Sequence, residues 1–330
     1  MNTSNENINN EPPDNKAAVF TARPANRYML GLSAYSILVH AAISYIFGKL
    51  GGYPQNLMAV QIAFQLVLLV PPLVVFVRLS GAKMSEVLPF RKVGAVNVLL
   101  IIGMALFIQP LLMIFSAAAM FFFKNEVSDF MQAGIAQANP VLCFVALAVA
   151  PPVLEEASFR GAAYFGAKTP LLHRVLLTSL FFGLGHMNPQ QLLYAVVAGV
   201  FLALLRHYTG SMSASIIAHC TINGWQTLLS LLYFKLAPSL GGETSELVRR
   251  ASEEPVSPLA ALGVSGVLAA LTLPVFLLLG WIFLRRIGAE GNPFRRTAEE
   301  KAAKTRVFTW EFWAVIALCA AYEAASALSA

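Results

Sequence analysis

Two adjacent carboxylates, Glu155 and Glu156, follow a long apolar run, and Arg160 lies four residues beyond the second of them. Two histidines, His186 and His219, also lie in apolar segments further along the chain. An ionisable side chain inside a membrane helix costs about 2.5–3.5 kcal/mol on insertion scales, so such groups mark functional interiors. These residues therefore predict either a site that carries out a reaction or a structural network in which each buried polar group has a partner.

The spacing of the acidic pair separates the two carboxylates on a helix. Glu156 and Arg160 are four residues apart, so they share one helix face and have the geometry of an ion pair. Glu155 is rotated by about 100° from its neighbour. One carboxylate can therefore neutralise the arginine while the other points elsewhere.

Two further pairs have the same helical spacing. Phe182 and His186 are four residues apart, as are His219 and Asn223. A carboxylate with an imidazole can hold and deprotonate a water molecule. A second imidazole with a side-chain amide can donate hydrogen bonds to a developing oxyanion. Peptide hydrolysis requires both functions.

The composition indicates that membrane helices carry these residues. Of the 330 residues, 57% are hydrophobic and only 12% are charged, whereas soluble domains carry about 25% charged residues. We therefore predict an all-α, polytopic transmembrane helical bundle with about eight to nine spans. The apolar segments lie near 28–48, 57–77, 95–123, 138–165, 171–187, 190–205, 211–234, 257–284 and 309–329. The last is the weakest, so whether 309–329 crosses the membrane is left open.

The basic residues indicate how the chain is oriented. Most Lys and Arg residues fall on one side of the predicted spans if the N-terminus is cytoplasmic, and the loop at 285–306 is the most basic. Residues 1–26 are polar and lack an apolar signal segment, so we predict a disordered cytoplasmic tail. Residues 27–330 are predicted to form one transmembrane domain, whose partners are the lipid bilayer and no nucleic acid.

The predicted helix starts place the polar residues at overlapping depths. Measured from the cytoplasmic helix ends, Glu155 lies roughly 15 Å deep, His186 roughly 22 Å and His219 roughly 12 Å. His40, His173 and His207 are interpreted as structural. The chain has neither a GxSxG elbow nor an HExxH motif, which argues against serine hydrolases and ordinary zinc proteases.

Three motifs resemble those of the CPBP family (CAAX-protease and bacteriocin-processing, also called Abi). Residues 155–160, EEASFR, are similar to its EExxxR motif. Residues 182–186, FGLGH, are similar to its FxxxH motif, and residues 219–223, HCTIN, to its third motif. Each motif alone is weak, but their order on separate apolar segments is specific. The resemblance covers a catalytic core at about 138–235.

The resemblance implies an intramembrane protease that acts on a membrane-associated peptide or protein, in the plasma membrane of a bacterium. Glu155 and His186 would activate the water, and His219 and Asn223 would stabilise the oxyanion. The supporting residues would be Glu156, Arg160 and Phe182.

Two questions stay open at this point. Glu155, His186 and His219 could together bind Zn²⁺ with a position left for water. A metal-free mechanism with Glu155 as the base uses the residues more completely, and we favour it. The alternative function is a non-catalytic membrane scaffold or bacteriocin-immunity-like protein. A proton-coupled transporter is disfavoured because no inverted repeat is visible.

Overall fold

Helices make up nearly all the regular structure of this computed structural model, which describes residues 19–52, 56–123, 134–135, 138–233, 256–289 and 291–329. The helices are α1 (Arg23–Lys49), α2 (Leu57–Ser80), α3 (Met84–Val87), α4 (Ala95–Phe107), α5 (Gln109–Ala119), α6 (Pro140–Gly166), α7 (Leu171–Gly185), α8 (Pro189–Thr209), α9 (Met212–Leu231), α10 (Pro258–Arg286), α11 (Ala298–Ala302) and α12 (Trp310–Ser329). The strands β1 (Val19–Thr21) and β2 (Lys304–Arg306) pair in parallel.

The predicted fold class, an all-α transmembrane bundle, is confirmed. Each apolar segment predicted from the sequence contains a helix. Six helical segments of the described chain are long and apolar enough to cross a membrane: α1, α2, α4 with α5, α6, α8 and α10. Helix α7 is apolar but has only 15 residues, and α9 and α12 are not among the six. The count of eight to nine spans, and a crossing at 309–329, therefore stay predictions.

A pair of prolines inside α2 leaves one of its carbonyls for a neighbouring helix. Pro71 has no N–H group, so the carbonyl of Val67 loses its usual partner four residues on. The hydroxyl of Tyr35 donates to that carbonyl at 3.0 Å. Because lipid offers no alternative partner, this hydrogen bond braces α1 against α2.

Helix α6 has a second proline pair and departs further from α-helical geometry. Val145–Val149 and Ala157–Ala163 form π-helical turns on either side of the segment that holds both glutamates. Pro151 and Pro152 both lack the N–H that would bond to the Leu147 carbonyl in an α- or a π-turn. The carbonyl oxygen of Leu147 is therefore free to accept a hydrogen bond from another helix.

The contact between α7 and α8 depends on small residues. A Cβ atom added to Gly199 would lie 2.9 Å from the Cα atom of Ser179, so only glycine allows this approach. Small residues at such crossings let membrane helices pack closely. The core around this contact is apolar and includes the buried rings of Phe181, Phe182 and Phe159. The backbone of α8 is thereby brought near the polar residues of α6.

The two ends of the described chain are joined to each other. Ala22 N–H donates to the Arg306 carbonyl at 2.9 Å, beside the β1–β2 pair. The buried carboxylate of Glu311 accepts hydrogen bonds from Nε of Arg23 at 2.9 Å and of Arg27 at 3.1 Å. Helix α12 consequently packs along α1.

The prediction of a disordered tail at 1–26 is wrong for residues 19–26, which the structure describes as ordered. Residues 1–18 lie outside the described residues. Residues 19–21 form β1, and α1 already begins at Arg23. The sequence does not reveal this order because the partner strand lies near residue 305, far along the chain.

Candidate active site

Glu156 is at the centre of a buried polar network. Its side chain is fully buried, and Oε1 lies 3.1 Å from Nη1 of Arg160, four residues on. The ion pair predicted from the spacing is therefore present. The same oxygen accepts a hydrogen bond from Nδ1 of His219 at 3.0 Å. The sequence analysis assigned Glu156 to the arginine alone, and the contact with α9 is new.

Arg160 is held on three sides without any exposure to solvent. Besides the ion pair, its Nη2 donates to the carbonyl of Gly199 at 3.1 Å. Its guanidinium lies over the ring of Phe182, 4.2 Å from the ring centroid. The arginine thus links α6 to α7 and α8 and fixes the helix that holds both glutamates.

His219 lies between the two adjacent carboxylates. Because Glu156 accepts from Nδ1, that nitrogen carries a proton, and Nε2 is the atom left for chemistry. Nε2 is 3.7 Å from Oε2 of Glu155, too far for a direct hydrogen bond. A single water molecule about 2.8 Å from each atom would fit this separation. Glu155 keeps 13% of its side-chain surface accessible, whereas Glu156 keeps none.

His186 lies at the end of α7 with one ring nitrogen already committed. Nδ1 is 2.7 Å from the carbonyl of Phe182 and must donate to it, which leaves Nε2 as the acceptor of a neutral ring. The next residue, Met187, has a φ of 45°. Left-handed backbone at a residue other than glycine is uncommon and clusters at functional sites.

Phe182 is the aromatic partner of both histidines. Its ring centroid lies 4.8 Å from that of His186 and 5.4 Å from that of His219, both in edge-to-face geometry. Since the arginine covers it as well, Phe182 fixes the relative positions of the two imidazoles.

Asn223 connects α9 to the irregular part of α6. Its Nδ2 donates to the carbonyl of Leu147 at 3.2 Å, the group that the two prolines leave without a backbone partner. The second N–H of the amide remains for another acceptor. Gln109 holds the same stretch of α9, because its Nε2 donates to the Ile222 carbonyl at 3.1 Å.

A cavity of about 450 Å³ brings the four predicted catalytic residues together. Glu155, His186, His219 and Asn223 all line it, and Phe182 forms part of its wall. Glu156 and Arg160 lie behind this wall and do not line it. The structure therefore separates the predicted residues into an inner supporting pair and an accessible group.

Helices α1 and α2 supply polar wall residues that the sequence analysis did not select. His40, interpreted from the sequence as an isolated structural histidine, lines the same cavity. Its Nδ1 is 2.8 Å from the Ser36 carbonyl. Gln65 also lines the cavity, and its Oε1 is buried without a hydrogen-bond partner. The only signal in the sequence is that Gln61 and Gln65 are four residues apart in an otherwise apolar segment.

The predicted metal-ligand set does not converge in this arrangement. Across the described residues, no three His, Cys, Asp or Glu side chains lie close enough together to hold a metal ion. Glu155, His186 and His219 share the cavity, and the hydrogen bonds at Nδ1 leave Nε2 of both rings unbonded. Metal-free water activation therefore stays a prediction.

Comparison with known families agrees with the three motifs. Residues 137–225 match the family model described as type II CAAX prenyl endopeptidase Rce1-like. This segment belongs to the CPBP family. The CPBP segment runs from the start of α6 into α9 and contains all the predicted site residues. No curated protein and no solved structure gives a significant match to the chain. With six helices able to span a membrane, the chain is an integral membrane protein.

Proposed function

We propose that this chain is an intramembrane endopeptidase of the CAAX-protease type, which hydrolyses a peptide bond of a membrane-associated protein with a water activated by Glu and His. The supporting observation is that Glu155, His186, His219 and Asn223, from three separate helical regions, line one cavity. A membrane scaffold has no need for an accessible carboxylate beside two imidazoles, and this is why we favour the enzyme.

In the proposed reaction, Glu155 is the general base. The attacking water is bound by Oε2 of Glu155 and by His186, which lines the same cavity and keeps Nε2 unbonded. Glu155 takes one proton as the water oxygen bonds to the carbonyl carbon of the substrate. When the C–N bond breaks, Glu155 passes this proton to the leaving amine.

The oxyanion of the tetrahedral intermediate would be stabilised by α9. Asn223 offers its second amide N–H, and His219 in its protonated form would donate from Nε2. Glu156, which stays ionised beside Nδ1 of His219, stabilises that positive charge. Glu156 and Arg160 act as positioning residues because they touch the reacting groups only through His219 and Phe182.

The test compares membrane fractions from cells that make either the wild-type chain or Glu155→Ala. The expected result is one or more peptide termini that appear only with the wild type, while both proteins are inserted in equal amounts. The Glu155 carboxylate lies 3.7 Å from Nε2 of His219, beyond hydrogen-bond distance, so the fold should survive Glu155→Ala. If the variant produces the same termini, Glu155 is not the base. If neither protein produces any, the scaffold function is favoured.

Metal dependence is tested with the purified chain once a cleaved substrate is known. We expect that treatment with a strong chelator leaves the rate unchanged, because the proposed steps use only side chains. Loss of cleavage that added Zn²⁺ restores would contradict the metal-free step while leaving the endopeptidase assignment intact.

A cytoplasmic N-terminus and a site open toward the bacterial cytoplasm also belong to the proposal. The support is the excess of basic residues at 285–306 and near the start of α1. A cysteine placed at Arg295 should react with an impermeant thiol reagent only after the cytoplasmic face is exposed. Labelling in intact cells would reverse the orientation.

A further inference from the structure

A second cavity lies between the first half of α1, the last part of α2 and the end of α6. Its volume is about 680 Å³, within the range of sites for small ligands. Tyr28, Leu32 and Phe76 form its inner wall. Leu32 also lines the candidate active-site cavity of about 450 Å³, so the two cavities adjoin at this residue.

The second cavity is open because several of the residues that line it have small or rigid side chains. A Cβ atom added to Gly31 would meet nothing within 4 Å, so the glycine faces open space. Pro71 and Pro72 line the opposite side on α2. The Tyr35 hydroxyl bonded to the Val67 carbonyl closes the far end and holds the two helices together.

The polarity of the lining changes along the cavity. Arg27 and Lys168 lie at one end, where α1 begins and α6 has ended, together with Ser80 at the end of α2. The far end, around Tyr35 and Pro71, is apolar. From Arg27 to Tyr35 the helix rises about 12 Å. The cavity therefore has a cationic mouth and an apolar interior of about this length.

The cations at the mouth remain accessible. Lys168 is exposed, and its Nζ lies 6.0 Å from the ring centroid of Phe165, which lines the cavity. Arg27 uses Nε to bond to Glu311 but keeps 63% of its side-chain surface exposed. That carboxylate is shared with Arg23, so the positive charge at this end exceeds the negative charge. Within the described lining no acidic side chain is present.

We propose that this cavity binds one acyl chain of an anionic phospholipid from the surrounding bilayer, with the phosphate between Arg27 and Lys168. A water-soluble anion would leave the apolar interior unfilled, and a zwitterionic lipid would bring a second cation to the basic mouth. Basic side chains near a membrane surface attract anionic head groups in this way. The site is separate from the proposed peptidase chemistry and does not depend on it.

Native mass spectrometry of the full chain, purified in a mild detergent, tests the site directly. The probes are phosphatidylglycerol and phosphatidylcholine with identical acyl chains. We expect a retained phosphatidylglycerol adduct that Lys168→Gln weakens about fivefold, from the interaction of one basic group with the head group. Arg27→Gln together with Lys168→Gln should weaken it about 25-fold.

Two further variants separate the head-group site from general charge. Arg78 is an exposed cation near the end of α2, but its side chain does not line the cavity. The Arg78→Gln variant should therefore retain the adduct. A Cβ atom at Gly31 meets no atom within 4 Å, so Gly31→Leu places an apolar side chain in this open space and should remove the adduct. Equal retention of both lipids, an equal loss in Arg78→Gln, or an unchanged adduct in Gly31→Leu would each overturn the proposal. Lys168→Gln alters an exposed side chain, so its result does not depend on refolding.

Discussion

The two cavities are both lined by parts of α1, α2 and α6, yet they place charge in opposite ways. Around the active-site cavity the charges lie deep, and Glu156 and Arg160 are fully buried and paired with each other. Around the second cavity the cations lie at the mouth, where Arg27 and Lys168 are exposed. The same three helices thus contribute to one site whose supporting charges are sealed from solvent and to another whose charges can attract a ligand from outside.

The difference shows what each kind of charge requires. A buried charge must be neutralised and hydrogen-bonded within the protein, because its removal from water is costly. This explains why Arg160 has partners on three helices. An exposed cation needs no such partners and remains available for a ligand. Single substitutions at Glu155, Glu156 and Lys168 should therefore affect catalysis, folding and lipid binding, respectively.

The largest expected effect is on catalysis at Glu155. Replacing Glu155 by Gln keeps the shape but removes the base, so cleavage should fall by about 10²–10⁴-fold. The melting temperature should stay near that of the wild type, because Oε2 of Glu155 lies 3.7 Å from Nε2 of His219, beyond hydrogen-bond distance. Initial rates with a cleaved peptide, alongside thermal unfolding in detergent, measure both. Wild-type rates in Glu155→Gln would contradict the assignment of a catalytic role to Glu155 and a structural role to Glu156.

Glu156 should show the opposite pattern, with folding affected most. Glu156→Leu leaves Arg160 buried without its carboxylate, a change that costs about 3–5 kcal/mol. The double variant with Arg160→Met should recover much of this loss, since apolar residues can replace a buried pair. Reversible unfolding in mixed micelles measures the difference. A double variant no more stable than Glu156→Leu would contradict this explanation.

A smaller effect on stability is expected at the two carbonyls that lose their helical N–H partner to a proline, and these two sites are closely matched. Asn223→Leu leaves the Leu147 carbonyl without its donor, and Tyr35→Phe does the same to the Val67 carbonyl. Interhelical hydrogen bonds in membranes contribute about 0.6 kcal/mol on average and about 1.7 at most. Both variants should unfold slightly earlier, but only Asn223→Leu should also lose cleavage, because only Asn223 lines the active-site cavity. Equal activity in the two variants would exclude an oxyanion role for Asn223.

The smallest effect is expected at Gln65, which lines the same cavity from α2. Its buried Oε1 lacks a partner and can accept a hydrogen bond from the substrate backbone. Removing one such bond by Gln65→Leu should raise KM about three- to tenfold and leave kcat unchanged. Steady-state kinetics with a cleaved peptide separate the two constants. A fall in kcat at constant KM would instead indicate that Gln65 acts in the chemical step and not in substrate binding.

The sequence predicted the local features of the site well. Each apolar segment contains a helix, and the Glu156–Arg160 ion pair follows from a spacing of four residues. The three motifs identify the segment that matches the family model. All these inferences rest on periodicity or on residue order, which a single sequence contains.

Contacts between helices could not be predicted in the same way. The hydrogen bond from His219 to Glu156 joins residues 63 positions apart, and nothing in either segment specifies the partner. The location of His40 in the cavity wall depends on how α1 packs, so an isolated histidine in the sequence looked structural. The π-turns of α6 likewise depend on neighbours that supply partners for its free carbonyls.

The joining of β1 to β2 and of Glu311 to α1 has a consequence for biogenesis. Helix α12 also touches α7, where Phe312 packs beside Phe181 and Sγ of Cys319 lies 3.9 Å from the Leu184 carbonyl, two residues before His186. These contacts cannot form until residues 304–319 have left the ribosome. A nascent chain halted before residue 304 would thus carry every proposed catalytic side chain while lacking the helix that packs against the end of α7, and we expect hydrolysis to begin only after that helix has docked.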